Sequence, residues 1–425
     1  MANAFLGIDF GTSGARAVVI DGRGEVLARC RYDFSGEQSA PLWRTALFEL
    51  ISQIPFAIRQ QLSAIAVNGT SASVLLCDGE GESLTSPLLY NDTRAVKEAQ
   101  YLATIAPPGH VVRGATSGLA KLLWLEQQAE FKDAAYFLHQ ADWLAFQLHG
   151  QLGVSDYHNA LKSGCDPETL DYPAWIRQLP AATLLPRIVE PGSVIGPISG
   201  RIAHHFALPR ECVVRAGTTD SIAAFLAAGA TKPGEAVTSL GSTLVLKLLS
   251  DNRVESAQHG IYSHRFGNLW LAGGASNSGG AVLRTYFNDE QLAELSRRID
   301  PNLPSGLDYY PLNQPGERFP VNDPAFPPRL APRPEDDAQF LHGLLEGIAA
   351  IEAQGYRLLE SLGATPLHSV LSAGGGAQNT AWTAIRKKML GVPVATTQHA
   401  DAAYGSALLA KNGEKLLSCT KEESP

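Results

Sequence analysis

The chain has 425 residues, of which 45% are hydrophobic and 18% are charged, and its formal net charge at pH 7 is −8. A length of this kind favours two domains, or three, with a large buried core. No basic stripe accompanies the mild acidity, so the composition argues against nucleic acids and anionic membrane surfaces as partners.

Cysteine usage and the absence of common motifs narrow the class further. The five cysteines are scattered singly, with no CxxC or Cys/His cluster, which argues against a zinc site and a disulfide framework and favours a reducing compartment. Residues 1–4 show no signal-peptide pattern, and no apolar run reaches the roughly 18 residues of a membrane helix. The sequence lacks the GxxxxGK[ST], GxGxxG, HExxH and GxSxG motifs. We therefore expect a cytoplasmic protein. If it binds a nucleotide, it does so through an architecture other than those of these motifs.

The first predicted strand ends in a carboxylate. Apolar residues lead up to Asp9, a Gly-Thr-Ser-Gly turn follows at 11–14, and a second apolar run leaves the turn, which is the pattern of a β-hairpin. A carboxylate that ends an apolar strand is costly to bury unless something pairs with it. Successive turn amides can bind an anion. These residues predict either a metal–nucleotide site or a plain surface turn.

Apolar spacing and turn residues predict the next elements. Residues 25–32 alternate as a third strand, and residues 42–61 have helical spacing that Pro55 interrupts. A buried strand at 62–68 ends in a turn of small hydroxylated residues at 69–73, a composition that by itself indicates a turn more than a site. Further helices are predicted over 94–105, 119–131 and 136–148.

A second carboxylate follows the strand predicted at 213–216. Gly217 and two threonines form a turn, Asp220 comes next, and an alanine-rich apolar helix begins. Asp is favoured in a first helical turn by capping and by the helix macrodipole. A rigid strand-to-helix turn is also a suitable position for a general base. The residues alone leave both interpretations open.

The opening pattern is partly repeated half a chain later. Gly241, Ser242 and Thr243 form a turn between two apolar strands, as Gly11, Thr12 and Ser13 do near the start. A repeated supersecondary unit suggests two related domains, each of which offers one hydroxyl-rich turn to a shared phosphate.

The last third of the chain contains a glycine-rich candidate site. Residues 301–334 are rich in proline and predicted to be irregular, and a long amphipathic helix follows from Asp336 as far as Gly363. A strand at 369–373 then leads into three glycines, which either let a flat ligand approach the backbone or only permit tight packing. Asn379 is a candidate hydrogen-bonding partner for such a ligand, and Trp382 a candidate packing surface.

Taken together, these segments resemble the FGGY family of carbohydrate kinases, within the actin, hexokinase and Hsp70 ATPase superfamily. The resemblance is carried by Asp9-Phe10-Gly11-Thr12-Ser13, Gly217-Thr218-Thr219-Asp220, Ser239-Leu240-Gly241-Ser242-Thr243 and Gly374-Gly375-Gly376-Ala377-Gln378-Asn379. It is supported by four further segments, of which Leu89-Tyr90-Asn91-Asp92-Thr93-Arg94 is similar to the family's W-x-D-x-R, Pro315-Gly316-Glu317-Arg318-Phe319-Pro320 matches G-E-R-x-P, and residues 120–125 and 155–160 resemble first-domain segments. The match spans nearly the whole chain in order.

The resemblance implies the fold and its division. It indicates an α/β protein of two ribonuclease-H-like (actin/hexokinase-type) domains with an interdomain cleft. We expect an N-terminal domain over residues 1–225 on the sugar side and a C-terminal domain over 226–399 on the nucleotide side. Residues 400–425 are expected to pack back on the first domain.

The resemblance also implies ATP and Mg²⁺ as cofactors and assigns residues to them. Asp220 is similar to the family's catalytic base, which takes the proton of the attacking sugar hydroxyl. Asp9 is similar to the carboxylate that holds Mg²⁺ through water, and both aspartates would contact the sugar. Phosphate contacts are expected from Gly11, Thr12, Gly241, Ser242 and Thr243, and an adenosine pocket from Gly375, Gly376, Asn379 and Trp382.

The sugar pocket is where the sequence departs from better-known relatives. Xylulose kinases carry a G-Q-M-H-G run, and glycerol kinases an Arg-Glu pair, where this chain has Gly69-Thr70-Ser71-Ala72-Ser73. Small hydroxylated side chains and a compact length resemble the D-ribulose kinase-like subgroup, so Thr70 and Ser71 are expected to contact a ketose. We expect phosphorylation of D-ribulose at its terminal hydroxyl.

Two alternatives stay open at this point. One is a kinase for another ketose or polyol, such as D-xylulose, L-ribulose or glycerol. The other is an actin/Hsp70-type nucleotide switch without a sugar product, which would need no base at Asp220. No coiled-coil pattern is present from which to predict an oligomeric state.

Overall fold

The structure is a computed structural model, and it describes residues 3–417, so that Cys419 and the end of the predicted returning segment, 418–425, lie outside the described residues. The strands are β1 (Ala4–Phe10), β2 (Gly14–Asp21), β3 (Val26–Asp33), β4 (Leu62–Gly69), β5 (Val74–Cys77), β6 (Tyr136–His139), β7 (Val154–Asp156), β8 (Arg187–Val189), β9 (Val194–Pro197), β10 (Val213–Thr219), β11 (Glu235–Leu240), β12 (Leu244–Ser250), β13 (Tyr262–Phe266), β14 (Leu269–Ser276), β15 (Ser369–Ala373) and β16 (Val394–Thr396). The helices are α1 (Ala40–Gln53), α2 (Phe56–Arg59), α3 (Val96–Ile105), α4 (Gly118–Leu125), α5 (Gln140–His149), α6 (Tyr157–Ala160), α7 (Ala174–Arg177), α8 (Gly200–Phe206), α9 (Asp220–Ala228), α10 (Gly280–Tyr286), α11 (Asp289–Ser296), α12 (Asp337–Ser361), α13 (Thr380–Leu390) and α14 (Ala402–Asn412).

The described part of the chain divides into two compact units, of which the first comprises residues 3–227 and 401–417. Its main sheet has the strand order β3-β2-β1-β4-β10-β9. The β1–β2–β3 meander is antiparallel, whereas β1, β4 and β10 run parallel to one another. Parallel neighbours place their carboxyl ends at the same edge of a sheet, so β1, β4 and β10 end together.

Helix α14 packs directly on β1 of this first unit. A side chain at Gly7 would lie 2.1 Å from both Ala403 O and Ala407 N, so only glycine lets the helix approach so closely. Asn68 Nδ2 in β4 donates to Ser406 Oγ at 2.7 Å. The small residues of α14 therefore serve close packing against the sheet.

The second unit comprises residues 228–400 and has one sheet of order β13-β14-β12-β11-β15-β16. The long helix α12 lies in its apolar core with Phe319 and Trp382. A buried ion pair joins α12 to α13, because Arg386 Nε donates to Glu352 Oε2 at 2.6 Å. Such a pair costs stability if one partner is lost, so it fixes how these helices meet.

The two sheets repeat one topology. In each, an antiparallel hairpin (β1–β2 or β11–β12) is extended by a third antiparallel strand on one side and by parallel strands on the other. The predicted two-domain α/β class with mixed sheets is confirmed. No helix among residues 3–417 is long and apolar enough to cross a membrane.

Two predicted helices are partly wrong. Residues 136–139 form β6, because Val74 to Cys77 of β5 offers antiparallel backbone pairing that outweighs the helical spacing, and α5 begins only at Gln140. The helix predicted over 119–131 ends at Leu125, and a short 3₁₀ helix, Ala129–Asp133, follows. Pro55 separates α1 from α2, as its position predicts.

Candidate active site

Asp9 lies next to the carboxyl end of β1, in the centre of the first sheet. It pairs with Arg16 across the hairpin and with Asn68 in the parallel strand β4. The residue is 7% exposed, and its Oδ1 has no hydrogen-bond partner within residues 3–417. Burial, which is the largest cause, and the negative charges of Asp220 and Asp401 together raise the pKa of the Asp9 carboxyl to about 7, against the opposing charge of Arg16. A cation, or a hydrogen-bond donor, would stabilise the charged form of such a buried carboxyl.

Asp220 is the first residue of α9, directly after β10. Its side chain is partly exposed, and its Oδ1 accepts a hydrogen bond from Ser221 N at 2.6 Å. Thr219 of β10 pairs with Gly69 of β4, and Gly69 pairs with Phe10 of β1. The strand ends thus bring Asp220, Asp9 and the 69–73 turn to one edge of the sheet, and the charge of Asp220 acts on Asp9.

The 69–73 turn is held rigidly from several sides. Thr70 is buried, and its hydroxyl bonds to Ser73 Oγ at 2.5 Å and donates to Gln140 Oε1 at 3.0 Å. Ser71 is partly exposed. Ala72 adopts φ = 63°, a left-handed conformation that is uncommon outside glycine. The turn therefore presents a fixed backbone and the Ser71 side chain, while the Thr70 hydroxyl is engaged within the protein.

A buried lysine joins this turn to the 89–94 segment. Lys121 Nζ donates to Ala72 O at 2.7 Å and to Leu89 O at 2.6 Å. Residues of the 89–94 segment line an open cavity of about 640 Å³ together with Gln38 and Trp124. Gln38 Nε2 donates to Thr12 O at 2.8 Å, which places this cavity beside the first predicted phosphate turn.

The first predicted phosphate turn, residues 11–14, is closed by a hydrogen bond from Gly11 N to Gly14 O at 3.0 Å. Thr12 and Ser13 are exposed at its tip. A side chain at Gly14 would lie 2.5 Å from Tyr32 O, so glycine is required where β2 leaves the turn. The exposed amides and hydroxyls of the tip are suited to an anion.

The second predicted phosphate turn, residues 241–243, lies against the start of α10. Gly280 N donates to Gly241 O at 2.8 Å, and Ala281 N donates to Ser242 O at 3.0 Å. Ser242 is exposed at the tip. The turn is thus held by its carbonyl oxygens, and these two bonds do not engage its hydroxyls.

A cavity of about 420 Å³ in the second unit begins at this turn. Its lining comprises Leu240, Gly241, Gly280, Leu283, Arg284, Asp289, Leu292, Ala293, Ser296, Arg297, Gly375, Gly376, Gln378, Asn379, Thr380 and Trp382. The volume is within the range of small-molecule and cofactor sites. Five residues predicted for the nucleotide lie together here, namely Gly241, Gly375, Gly376, Asn379 and Trp382.

Asn379 and Trp382 support the wall of this cavity from the protein side. Asn379 Oδ1 caps α13 by accepting from Trp382 N at 3.0 Å, and its Nδ2 donates to Ser296 Oγ at 2.8 Å. Trp382 is 1% exposed, and its ring packs under Gly376, where an added side chain would lie 2.5 Å from Trp382 Cζ3. Asn379 therefore fixes α11 against α13, and the flat glycine surface covers the indole.

Sequence reasoning missed the contribution of α11, which lines the cavity through Leu292, Ala293 and Ser296. One signal for this helix is present in the sequence. Asn288 and Gln291 form a reciprocal capping box at its start, the pattern of a helix beginning. Its contact with the glycine-rich segment depends on a long-range packing that local patterns do not encode.

The residues of the first unit fit a magnesium ion. Within residues 3–417, no group of three or more His, Cys, Asp or Glu side chains could hold a metal by itself. Mg²⁺ usually binds through one or two carboxylates, with substrate phosphates and water completing its shell. The buried Oδ1 of Asp9, for which residues 3–417 supply no hydrogen-bond partner, fits that role.

Comparison with protein families covers both units. Residues 4–227 match the N-terminal domain of the FGGY family of carbohydrate kinases, and residues 236–412 match its C-terminal domain. The chain is 25% identical to the xylulose kinase of Bacillus subtilis, over 98% of this chain and 90% of that protein.

Two solved structures share the fold. A structure described as a xyloylose kinase from Brucella ovis superposes with a TM-score of 0.87 at 24% identity, covering 98% of this chain and 92% of the other. A gluconate kinase from Lactobacillus acidophilus superposes with a TM-score of 0.82 at 17% identity, covering 98% and 90%. The names of these two proteins give different substrates, so the shared fold does not specify the sugar.

Proposed function

Because the chain belongs to the FGGY family of carbohydrate kinases, an ATP-dependent phosphotransferase family, we propose that it phosphorylates the terminal hydroxyl of a ketopentose. We propose D-ribulose as the substrate and D-ribulose 5-phosphate as the product. The observation that carries the kinase chemistry is the edge of the first sheet, where Asp9, next to the end of β1, and Asp220, directly after β10, lie on either side of the end of β4 and its 69–73 turn. A nucleotide switch without a sugar product would not require the carboxylate of Asp220.

The choice of sugar rests on the 69–73 turn. Its side chains are small or hydroxylated, and it lacks the longer side chains of the G-Q-M-H-G run that xylulose kinases carry there. D-xylulose is the second candidate, because the curated relative from Bacillus subtilis is named a xylulose kinase. The two ketoses differ at one stereocentre, so a few hydrogen bonds at this turn decide between them.

In the proposed mechanism, Asp220 is the general base. It takes the proton of the terminal hydroxyl as that oxygen attacks the γ-phosphorus and the bond to the β-phosphate oxygen breaks. Phosphoryl transfer needs chiefly alignment and charge neutralisation. Asp220 is partly exposed, whereas Asp9 is buried, so the two carboxylates have different environments and different roles. Asp9 would hold Mg²⁺ through water, and the ion would neutralise charge on the phosphates when bound.

We assign the nucleotide to the second unit. The 420 Å³ cavity would hold adenosine over the glycine surface of Gly375 and Gly376, with Trp382 beneath that surface and Asn379 fixing the wall. Gly241, Ser242 and Thr243 at its end would contact the phosphates, and Gly11 and Thr12 would do so from the first unit. Turn amides and hydroxyls bind phosphate oxygens without adding negative charge.

The test is an ADP-release assay with D-ribulose, D-xylulose, L-ribulose and glycerol on the wild type and on Asp220→Asn. We expect the highest kcat/KM for D-ribulose. Loss of a general base should lower kcat by roughly 10²- to 10⁴-fold, with little change in the KM of ATP. Asp337→Asn is the matched control, because Asp337 also begins a helix and is exposed. Full sugar-dependent turnover in Asp220→Asn would refute the assignment of the base, and a higher kcat/KM for D-xylulose would refute the assignment of the sugar.

A further inference from the structure

Gln140 has a carboxamide with one end engaged and the other end unpaired. The residue is fully buried at the start of α5. Its Oε1 accepts hydrogen bonds from Thr70 N at 2.9 Å and from Thr70 Oγ1 at 3.0 Å. Its Nε2 is buried and finds no hydrogen-bond partner in the described part of the chain. An unpaired buried amide costs stability, and a ligand that accepts a hydrogen bond from it would offset that cost.

The orientation of this carboxamide is fixed by directional hydrogen bonds. A backbone N–H can only donate, so the atom that faces Thr70 N must be the oxygen. A chain of hydrogen bonds agrees with this direction: Tyr90 N donates to Ser73 Oγ at 2.9 Å, Ser73 bonds to Thr70, and the Thr70 hydroxyl donates to Gln140. The backbone is fixed as well, since Gln140 N donates to Ser73 O at 2.9 Å. The two N–H groups of Nε2 therefore point away from the turn.

Gln140 lies at the same strand ends as the carboxylates of Asp9 and Asp220. A side chain added at Gly69 would lie 2.9 Å from Gln140 Oε1, so the carboxamide sits directly over the end of β4. Gly69 pairs with Phe10, next to Asp9, and with Thr219, next to Asp220. Thr219 Oγ1 is also buried and has no hydrogen-bond partner among residues 3–417. Unpaired polar atoms of Gln140 and Thr219 thus lie at the strand ends that also carry Asp9 and Asp220.

We propose that Gln140 is a sugar-binding residue that determines specificity, with Nε2 donating to a hydroxyl or carbonyl oxygen of the ketose. This inference rests on the proposed function and adds a ligand that the sequence did not indicate. Thr70 then acts as a positioning residue, because its hydroxyl and amide hold the Gln140 oxygen rather than the sugar. A site built to donate to one substrate oxygen discriminates strongly against analogues that lack it.

The substitution that tests this is Gln140→Glu. Glutamate keeps the size of the side chain and the oxygen that faces Thr70, but replaces the donating NH₂ by an acceptor. We expect the KM of the sugar to rise by roughly tenfold or more, with the KM of ATP unchanged. Gln147→Glu is the matched control, because Gln147 lies on the same helix and its buried Nε2 also finds no partner within residues 3–417. Gln147 lies two turns along α5 from the strand ends, so its variant should keep the wild-type KM for the sugar.

Deoxy analogues of the sugar separate a binding role from a structural one. In the wild type, removal of the hydroxyl or carbonyl oxygen that Nε2 contacts should raise KM by roughly tenfold, and in Gln140→Glu the same analogue and the parent sugar should differ by less than twofold. If the glutamate variant does not fold, Gln140→Met is measured in the same way, with the same expectation. If the wild type phosphorylates no ketose, the proposed function is wrong and this inference falls with it. If the wild type is active and the sugar KM of Gln140→Glu equals that of Gln147→Glu, the Gln140 inference alone is overturned.

Discussion

Lys121 offers a sharp test of how the 69–73 turn is held. It is 0% exposed, and its Nζ donates to the carbonyl oxygens of Ala72 and Leu89. Burial lowers the pKa of its ammonium to about 7, and the charge of Asp92 only partly opposes this effect. Lys121→Met removes the titrating group while keeping a long side chain. We expect this variant to lose the part of the pH dependence of stability that Lys121 causes.

The sign and size of the effect follow from the pKa. The ordinary lysine pKa is 10.5, so between pH 7 and that value the unfolded chain binds a proton that the folded chain does not. The free energy of unfolding therefore rises with pH in this window, by up to about 1.4 kcal/mol per pH unit. Between pH 7 and pH 9 the folded lysine passes from half protonated to neutral, and the contribution of Lys121 to stability rises by about 2 kcal/mol. Above pH 9 the buried thiols, whose pKa burial raises, act in the opposite direction.

The measurement is urea unfolding of wild type and Lys121→Met at pH 7 and pH 9. The difference in the free energy of unfolding, wild type minus variant, should be about 2 kcal/mol larger at pH 9 than at pH 7. Lys97→Met, at an exposed lysine of α3, is the control and should show no such change. The variant should also raise the KM of the sugar, because the carbonyls of Ala72 and Leu89 lose the group that joins them. An equal difference at the two pH values would refute the reasoning.

Two further predictions concern a buried carboxyl of the first unit and the wall of the cavity in the second. Burial raises the pKa of Asp156 to about 7, so the wild type loses stability as pH rises from 4.5 to 7, and in Asp156→Asn this loss should be smaller by about 3 kcal/mol in urea unfolding. The amide that replaces the carboxyl can donate to Asn159 Oδ1, which is buried and has no partner within residues 3–417. If Asp156→Asn lost as much stability as the wild type between pH 4.5 and pH 7, Asp156 would not be the cause of the loss. Gly376→Ala should lower the unfolding midpoint, because its Cβ would meet Trp382 at 2.5 Å, whereas Gly375→Ala, which meets no described atom within 4 Å, should keep the midpoint and raise the KM of ATP. Equal midpoints in the two glycine variants would show that the cavity wall is not packed as described.

The hairpins and their turns were predictable from sequence because their signals are local. Apolar strands on either side of Gly11 and Gly241 give the strand–turn–strand pattern without reference to the rest of the chain. Asp220 was predictable for a similar reason, since the end of β10 and the start of α9 both lie within a few residues of it. Parallel pairing then brings such strand ends together, a consequence of topology rather than of any one residue.

The rest of the site depends on contacts between distant parts of the chain. Gln140 looks like an ordinary helical residue in the sequence, and only the pairing of β5 with β6 places it over Gly69. The same pairing makes 136–139 a strand where helical spacing predicted a helix. Lys121 reads as one polar residue in an apolar helix, and the two carbonyls that bind it lie 49 and 32 residues away. No local pattern encodes separations of this kind.

The repeated hairpins differ at one position in a way that suits the proposed division of labour. Asp9 in the first hairpin corresponds to Ser239 in the second, in the segments Asp9-Phe10-Gly11 and Ser239-Leu240-Gly241. The cross-strand partner changes with it, from Arg16 opposite Asp9 to Val245 opposite Ser239. A carboxylate at 239 would repel phosphates held by the neighbouring turn, whereas a hydroxyl can donate to them. In the proposed function, the hairpin with the acid therefore serves the cation and the sugar as well as phosphate, whereas the hairpin without it serves phosphate alone.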